Sequence, residues 1–97
     1  MEVKKTALAG TLESSDVQVM ISPNESGITI DLVSDVKKQF GEAIVARVKQ
    51  VLSAYDITDA MVKIVDKGAL DSVIKARMIA AVQRALDIVE EPKWEVL

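Results

Sequence analysis

Three serines of this chain have sequence neighbours that suit covalent modification: Ser14, Ser15 and Ser72. Ser14 and Ser15 lie in the segment Ala9–Asp16, which reads AGTLESSD and precedes an alternating apolar run. Glycine, serine and acidic residues clustered before a strand are typical of a surface bend or bulge. The simpler interpretation is a pair of polar residues in a bend. The functional interpretation is an exposed serine that accepts a covalent group.

The residues needed for catalysis are missing from the sequence. A nucleophilic serine needs a base, usually histidine, and the chain has no histidine. It has no cysteine either, which excludes disulfides, thiolate metal sites and Cys/His catalysis. The sequence has two pairs of acids that could be taken for a catalytic pair, Glu90 with Glu91 and Asp31 with Asp35. Nothing in the sequence desolvates these carboxylates or supplies a partner, so they are interpreted as surface acids. We therefore expect no catalytic or metal site, and any thiol chemistry must come from an attached group.

Lys67, Gly68 and the helix that follows them form a candidate anion site. The free N–H groups and the positive end of the helix dipole point towards such a position, and Lys67 adds charge. Arg77 lies two turns into the same helix, near the edge of its apolar stripe. The alternative is that Lys67 is a solvated turn residue and that the stem of Arg77 covers the core.

Composition indicates one small globular domain, residues 1–97, with residues 1–6 and 90–97 as flexible tails. The chain has 97 residues, 49% of them hydrophobic, and only 3% are aromatic, so aliphatic side chains must fill the core. The net charge of −3 and the lack of a basic patch argue against nucleic-acid binding. No apolar run approaches the ~18 residues of a membrane span, and a cytoplasmic location is expected.

Hydrophobic periodicity predicts an α+β domain in the order β-β-α-β-α. The strands are Val17–Ile21, which could also begin near Ala7 with an interruption at Ser14–Asp16, then Ile28–Val33 and Ala60–Val65. A helix capped by Ser34 or Asp35 runs for about 20 residues, and a second runs from about Ala69 to Val89.

These elements predict a three-stranded sheet with both helices on one face. The polar turn at residues 22–27 predicts an antiparallel hairpin of the first two strands. A crossover makes the second and third strands parallel, and the first strand is placed between them. Phe40 and Leu70 are expected on the buried stripes of the two helices. Gly41 is expected to allow close packing, against the sheet or a partner subunit.

The segment around Ser14 resembles the acyl carrier (gamma) subunit of citrate lyase. The motif is GTLES, residues 10–14. Residues 66–71 (DKGALD) followed by Ala76-Arg77, and residues 38–41 (KQFG), are similar to the same family. Residues 92–95 (PKWE) stand where the family tends to have Pro-Trp-Glu, with Lys93 as an insertion. The resemblance covers essentially the whole chain.

This resemblance implies a non-catalytic carrier. Ser14 matches the serine that carries 2'-(5''-phosphoribosyl)-3'-dephospho-CoA through a phosphodiester, and Lys67, Gly68 and Arg77 become candidate contacts for its phosphates. The thiol of the group would hold acetyl and citryl thioesters while the alpha and beta subunits convert citrate to acetate and oxaloacetate. A prosthetic-group transferase and an acetate-activating ligase are the further implied partners.

Several alternatives stay open at the level of sequence. The carrier subunits of malonate decarboxylase and of citramalate lyase are related, and a non-carrier interaction domain is a different class. Ser15 is the alternative acceptor. Asp71-Ser72-Val73 resembles the Asp-Ser-Leu at which ordinary acyl carrier proteins bear phosphopantetheine, but those carriers are all-helical bundles, without the strands predicted here.

Overall fold

The computed structural model describes residues 2–34 and 37–87 and shows a sheet with two helices. The elements in chain order are β1 (Ala7–Gly10), β2 (Val17–Ser22), β3 (Ile28–Ser34), α1 (Lys37–Ala54), β4 (Ala60–Asp66) and α2 (Asp71–Leu86). The α+β class and the two helices are as predicted, but the sheet has four strands instead of three. The extra strand is β1, which reads ALAG and is too short and too poor in β-branched residues to predict a separate strand.

The order of the strands is β1-β2-β4-β3, so the prediction that Val17–Ile21 lies between the other two predicted strands is wrong. β4 is central: it pairs antiparallel with β2 and parallel with β3. The parallel pairing was predicted, whereas the hairpin of β2 and β3 does not form. The turn after β2 is bonded to the start of β4 instead, because the Gly27 N–H donates to Asp59 at 2.6 Å and its carbonyl accepts from Ala60 at 3.0 Å.

One face of the sheet is buried under the helices and the other is open. Val17, Val19 and Ile21 of β2 are fully buried, and Ala60, Val62 and Ile64 of β4 lie in phase with them. The intervening positions face out, including the exposed residues Leu8, Met20, Met61 and Val33. Burying only one face gives the alternation from which these strands were predicted.

Two expected core residues, Phe40 and Leu70, are exposed, which corrects the predicted helix stripes. Phe40 is 54% exposed, although Ile44, Val48 and Leu52 farther along α1 are buried. Its ring lines an open groove of about 360 Å³ whose other wall is the Gly68–Leu70 segment with the first turn of α2, and the groove leaves the ring in water. Leu70 is 72% exposed because it occupies the N-cap of α2 in an extended conformation and so precedes the helical stripe.

The helix boundaries also differ from the prediction. α1 begins at Lys37, and Asp35 and Val36 lie outside the described residues, as does the predicted tail at 90–97. α2 begins two residues later than expected and is followed by Asp87 in the left-handed conformation. In the predicted N-terminal tail, Val3 is buried and the Lys4 N–H donates to the Ala85 carbonyl at 3.0 Å.

Candidate functional site

The candidate site is the turn formed by residues 11–16, which joins β1 to β2 in the antiparallel pair. Gly10 leads into this turn with a φ of +88°, a conformation that favours glycine. A Cβ atom at Gly10 would lie 1.8 Å from the Val17 carbonyl oxygen and 3.3 Å from the stem of Arg77. Only a residue without a side chain therefore lets the chain pass so close to β2 at this point.

The Asp16 carboxylate holds the turn together. It accepts a hydrogen bond from the Thr11 hydroxyl at 2.6 Å and another from the Val17 N–H at 2.8 Å. Arg77 of α2 approaches it with two nitrogens, Nε at 3.2 Å and a terminal nitrogen at 3.0 Å. The hydrogen bond from Thr11, followed by those from Arg77 and Val17, lowers the pKa of Asp16 to about 2. Asp16 is therefore ionised throughout the neutral range.

The backbone of Lys67 makes two hydrogen bonds to the same turn. The Ser15 N–H donates to the Lys67 carbonyl at 2.7 Å, and the Lys67 N–H donates to the Asp16 carbonyl at 2.9 Å. Ser15 itself has a φ of +65°, in the left-handed region that non-glycine residues occupy at a cost. The turn thus continues the alignment of β2 with β4 beyond the ends of both strands.

Asp66 fixes the chain on either side of Lys67. It is the one polar or charged residue among the buried residues that the structure describes, at 1% exposure. Its carboxylate accepts from the Ser34 hydroxyl at 2.8 Å and from the Ala69 N–H at 2.9 Å. Through these bonds Asp66 links the end of β3 to the loop that holds the Ser14 turn.

Ser14 lies at the exposed part of this framework. Its side chain is exposed, and within residues 2–34 and 37–87 neither its hydroxyl nor its N–H makes a hydrogen bond. Its neighbours are bonded: the Glu13 N–H donates to Thr11, and the Asp16 N–H donates to the Glu13 carbonyl. A hydroxyl without a partner on a well-bonded turn is available to another molecule.

The other predicted site residues fall in two places. Lys67 and Gly68 adjoin the Ser14 turn, and no ion pair or side-chain hydrogen bond of the described residues involves the Lys67 ammonium. Arg77 reaches the turn but is bound to Asp16, with 41% of its side chain exposed. Ser72 is exposed in the first turn of α2.

Sequence reasoning missed the part that Asp16 and Asp66 play. Asp16 was interpreted only as an acid near Ser14, because its partner Arg77 lies 61 residues away in the chain. A sign of Asp66 was present, since it continues the alternation of Ala60, Val62 and Ile64 and so falls on the buried face. An acid in that phase predicts a buried carboxylate that needs hydrogen-bond partners.

The parts of the chain that the structure describes contain no group of acids suited to a metal ion. Among those residues there is also no helix both long and apolar enough to span a bilayer. The cytoplasmic location stays a prediction.

Comparison with known proteins defines the class first. Residues 4–85 match the family model described as malonate decarboxylase delta subunit (MdcD). A chain in the crystal structure of a Pseudomonas malonate decarboxylase hetero-tetramer has the same fold, with a TM-score of 0.64 over 88% of both chains and 19% identity. The chain therefore matches the family model of an acyl carrier subunit over most of its length.

Similarity to full-length relatives narrows this class. The chain is 65% identical to the citrate lyase acyl carrier protein of Leuconostoc citreum and 64% identical to that of Lactococcus lactis, each over 97 residues and the full length of both chains. The protein of the same name in Lactiplantibacillus plantarum is 56% identical over the same length. The chain belongs to the family of citrate lyase acyl carrier proteins. It is a carrier subunit, not a catalytic one, and this family implies a covalently attached prosthetic group.

Proposed function

We propose that Ser14 is the attachment point of the prosthetic group and that the group is 2'-(5''-phosphoribosyl)-3'-dephospho-CoA. The observation that carries the proposal is the exposed, unbonded hydroxyl of Ser14 on a turn that hydrogen bonds of Asp16 and of the Lys67 backbone hold in place. The identity of the group rests on the resemblance of residues 10–14 to the family motif. When bound, it supplies a thiol that carries acyl groups as thioesters.

The residues around Ser14 fit such a group. A phosphodiester is a bulky anion that must stay in water, and the side chains of residues 12–15 are all exposed. Ser14 would act as the acceptor of a phosphoanhydride precursor. Its oxygen bonds to phosphorus, its proton passes to a base of the transferase, and the anhydride oxygen leaves with the electron pair.

Charge near the turn bears on how the phosphate is tolerated. Glu13 is exposed and would repel it, whereas the negative charge of Asp16 is already balanced by the Arg77 guanidinium. Lys67, whose backbone holds Ser15, has no ion-pair partner for its ammonium among the described residues. We propose that Lys67 offsets the charge, with Gly68 leaving space beside it. A direct phosphate contact by Arg77 stays a prediction.

The rest of the chain serves as a rigid body that brings the attached group to its partners. The proposed partners are the alpha and beta subunits of citrate lyase, which would convert citrate to acetate and oxaloacetate, with a prosthetic-group transferase and an acetate-activating ligase for maturation. A tether raises the effective concentration of the carried acyl group at each partner's site. The chain of the same fold in the malonate decarboxylase hetero-tetramer gives a precedent for this fold within a complex of several subunits.

The test of the attachment site is modification of three serine variants. We expect co-expression with the modification enzymes to add the mass of the group to the wild type, Ser15→Ala and Ser72→Ala, and not to Ser14→Ala, with peptide mapping to locate it. The reason is that the motif register selects Ser14 and the turn exposes its hydroxyl. Modified Ser14→Ala together with unmodified Ser72→Ala would instead indicate a phosphopantetheine carrier.

A further inference from the structure

Arg77 joins helix α2 to the turn that carries Ser14, across 61 residues of sequence. We propose that Asp16 and Arg77 are positioning residues, which hold the Ser14 turn in the conformation that the modifying enzyme accepts. This inference rests on the proposed function of Ser14. It goes beyond that function, because it says that the rate at which Ser14 is modified depends on an ion pair that takes no part in the reaction.

The Ser14 turn gains little stability from its own residues, so a bond to another element matters for its conformation. Four consecutive side chains, those of Leu12, Glu13, Ser14 and Ser15, are exposed and so gain little from packing. Ser15 is also held in the left-handed region, which a free loop would tend to leave. Within the turn, the Thr11 and Val17 bonds to Asp16 are local. The Arg77 bonds instead join the carboxylate to α2, a helix that buries Ile74 and Met78 against the core.

The ion pair of Asp16 with Arg77 is coupled to Ser14 through the backbone of the turn. Asp16 lies two residues after Ser14, and its own N–H and carbonyl are bonded to Glu13 and Lys67. The Asp16 side chain is only 14% exposed, so an unpaired carboxylate there would lose part of its hydration without compensation. Without Arg77, Asp16 keeps only its local bonds from Thr11 and Val17. We therefore expect the carboxylate to turn towards water more easily and the backbone bonds of the turn to Lys67 to open more often.

A competing interpretation is that Arg77 binds a phosphate of the prosthetic group directly. The two interpretations predict opposite effects of Asp16→Asn. If Arg77 acts on the phosphate, Asp16→Asn frees its guanidinium and removes a repelling charge, so modification becomes equal or faster. If Arg77 acts through Asp16, the same variant loosens the turn, so modification becomes slower.

The first test measures modification kinetics with purified transferase and its prosthetic-group precursor on the full-length carrier. We expect Asp16→Asn and Arg77→Met each to lower kcat/KM for the carrier by about tenfold, as expected for loss of a charge-assisted, paired contact. The double variant should be no worse than either single variant, and Arg77→Lys, with one charged donor left, should recover part of the rate. An unchanged or faster Asp16→Asn would overturn the proposal.

A matched control is present in the same molecule. Arg47 binds Asp71 through two nitrogens, at 3.0 and 2.6 Å, in an ion pair that joins α1 to α2. Arg47→Met therefore removes a pair of the same kind that makes no contact with the turn, and we expect its kcat/KM to match the wild type. An equal loss in Arg47→Met and Arg77→Met would mean that general destabilisation explains both.

A second measurement does not depend on modification. Amide hydrogen exchange at Ser15 and Lys67 reports the two backbone bonds between the turn and Lys67, and exchange at Asp16 reports its bond to the Glu13 carbonyl within the turn. We expect exchange about tenfold faster at these amides in Asp16→Asn and Arg77→Met, with core amides of β4 unchanged. If the wild type is not modified at Ser14, the proposed function fails while this measurement still stands. Modification of all variants at the wild-type rate would reject the positioning role alone.

Discussion

Gly10 sets the path of the chain into the Ser14 turn. Its φ of +88° and the closeness of the Val17 carbonyl leave room for a hydrogen atom but not for a methyl group. Gly27 has a similar φ of +80°, yet no atom lies within 4 Å of the position that its Cβ would take. The two glycines therefore separate the cost of the backbone conformation from the cost of the close approach.

We expect Gly27→Ala to lower the free energy of unfolding by about 1 kcal/mol, the cost of an alanine in the left-handed region. Gly10→Ala should lower it by about 3 kcal/mol or more, because strands β1 and β2 must also move apart. Urea denaturation of both variants measures the difference. Equal losses would mean that the close approach at Gly10 relaxes at no cost.

The apolar stripe of helix α1 is buried along only part of the helix. Ile44, Val48, Val51 and Leu52 are at most 5% exposed, whereas Phe40, one turn before Ile44, is 54% exposed. Opposite Phe40 lie the Gly68–Leu70 loop and the first turn of α2, across an open groove. The only phenylalanine of the chain is therefore a surface residue at the end of the domain that also bears Lys67 and Gly68.

We expect Phe40→Ala to lower the free energy of unfolding by about 1 kcal/mol, since half of its apolar area is in water already. Leu52→Ala, on the same helix and 2% exposed, should cost about 2–5 kcal/mol because it leaves a cavity. Urea melts of the two variants make the comparison. A larger loss in Phe40→Ala than in Leu52→Ala would place Phe40 in the core after all.

For the whole molecule, the central position of β4 connects the core to the site. β4 is bonded on both edges, and its last residue, Asp66, leads into the Lys67 backbone that clasps Ser15. The Ser14 turn is thus bonded to the end of a strand that has neighbours on both sides, as β2, into which the turn leads, also has. In a sheet with β4 at an edge, the Lys67 backbone that holds the turn would extend from a strand paired on one side only.

The strand order can be tested by cross-linking, because the chain has no cysteine of its own. Asp31 of β3 and Lys63 of β4 are Cα partners on the open face, so Asp31→Cys/Lys63→Cys should form a disulfide on oxidation. Met20 pairs with the other side of Lys63, which places it two strands from Asp31, at roughly 9–10 Å. Met20→Cys/Asp31→Cys should therefore stay reduced, as judged by thiol titration and intact mass.

The reverse result would contradict the observed order. A disulfide between positions 20 and 31, with none between positions 31 and 63, would return β2 to the place between the other two strands that the sequence alone predicts.

The elements of this protein could be predicted from sequence because their patterns are local. Alternation over Val17–Ile21 and Ala60–Val65 predicted β2 and β4, and the helical spacing from Ile44 to Leu52 predicted α1. The motif at residues 10–14 selected Ser14 and the family. β1 was foreseen only as an earlier start of the strand at Val17, because the four residues ALAG are too few to show an alternation. The start of α2 was placed two residues early, because the apolar Leu70 occupies the extended N-cap position before the helix.

Only the tertiary structure decided which strand is central and what holds Ser14 in place. Strand order depends on whether the turn after β2 bonds to itself or to Asp59 and Ala60, a contact over some 30 residues that no local pattern contains. The pairing of Asp16 with Arg77 depends in turn on α2 crossing behind β1 and β2. The sequence therefore selected Ser14 as the serine predicted to be modified, and the packing of distant elements determined how its turn is held.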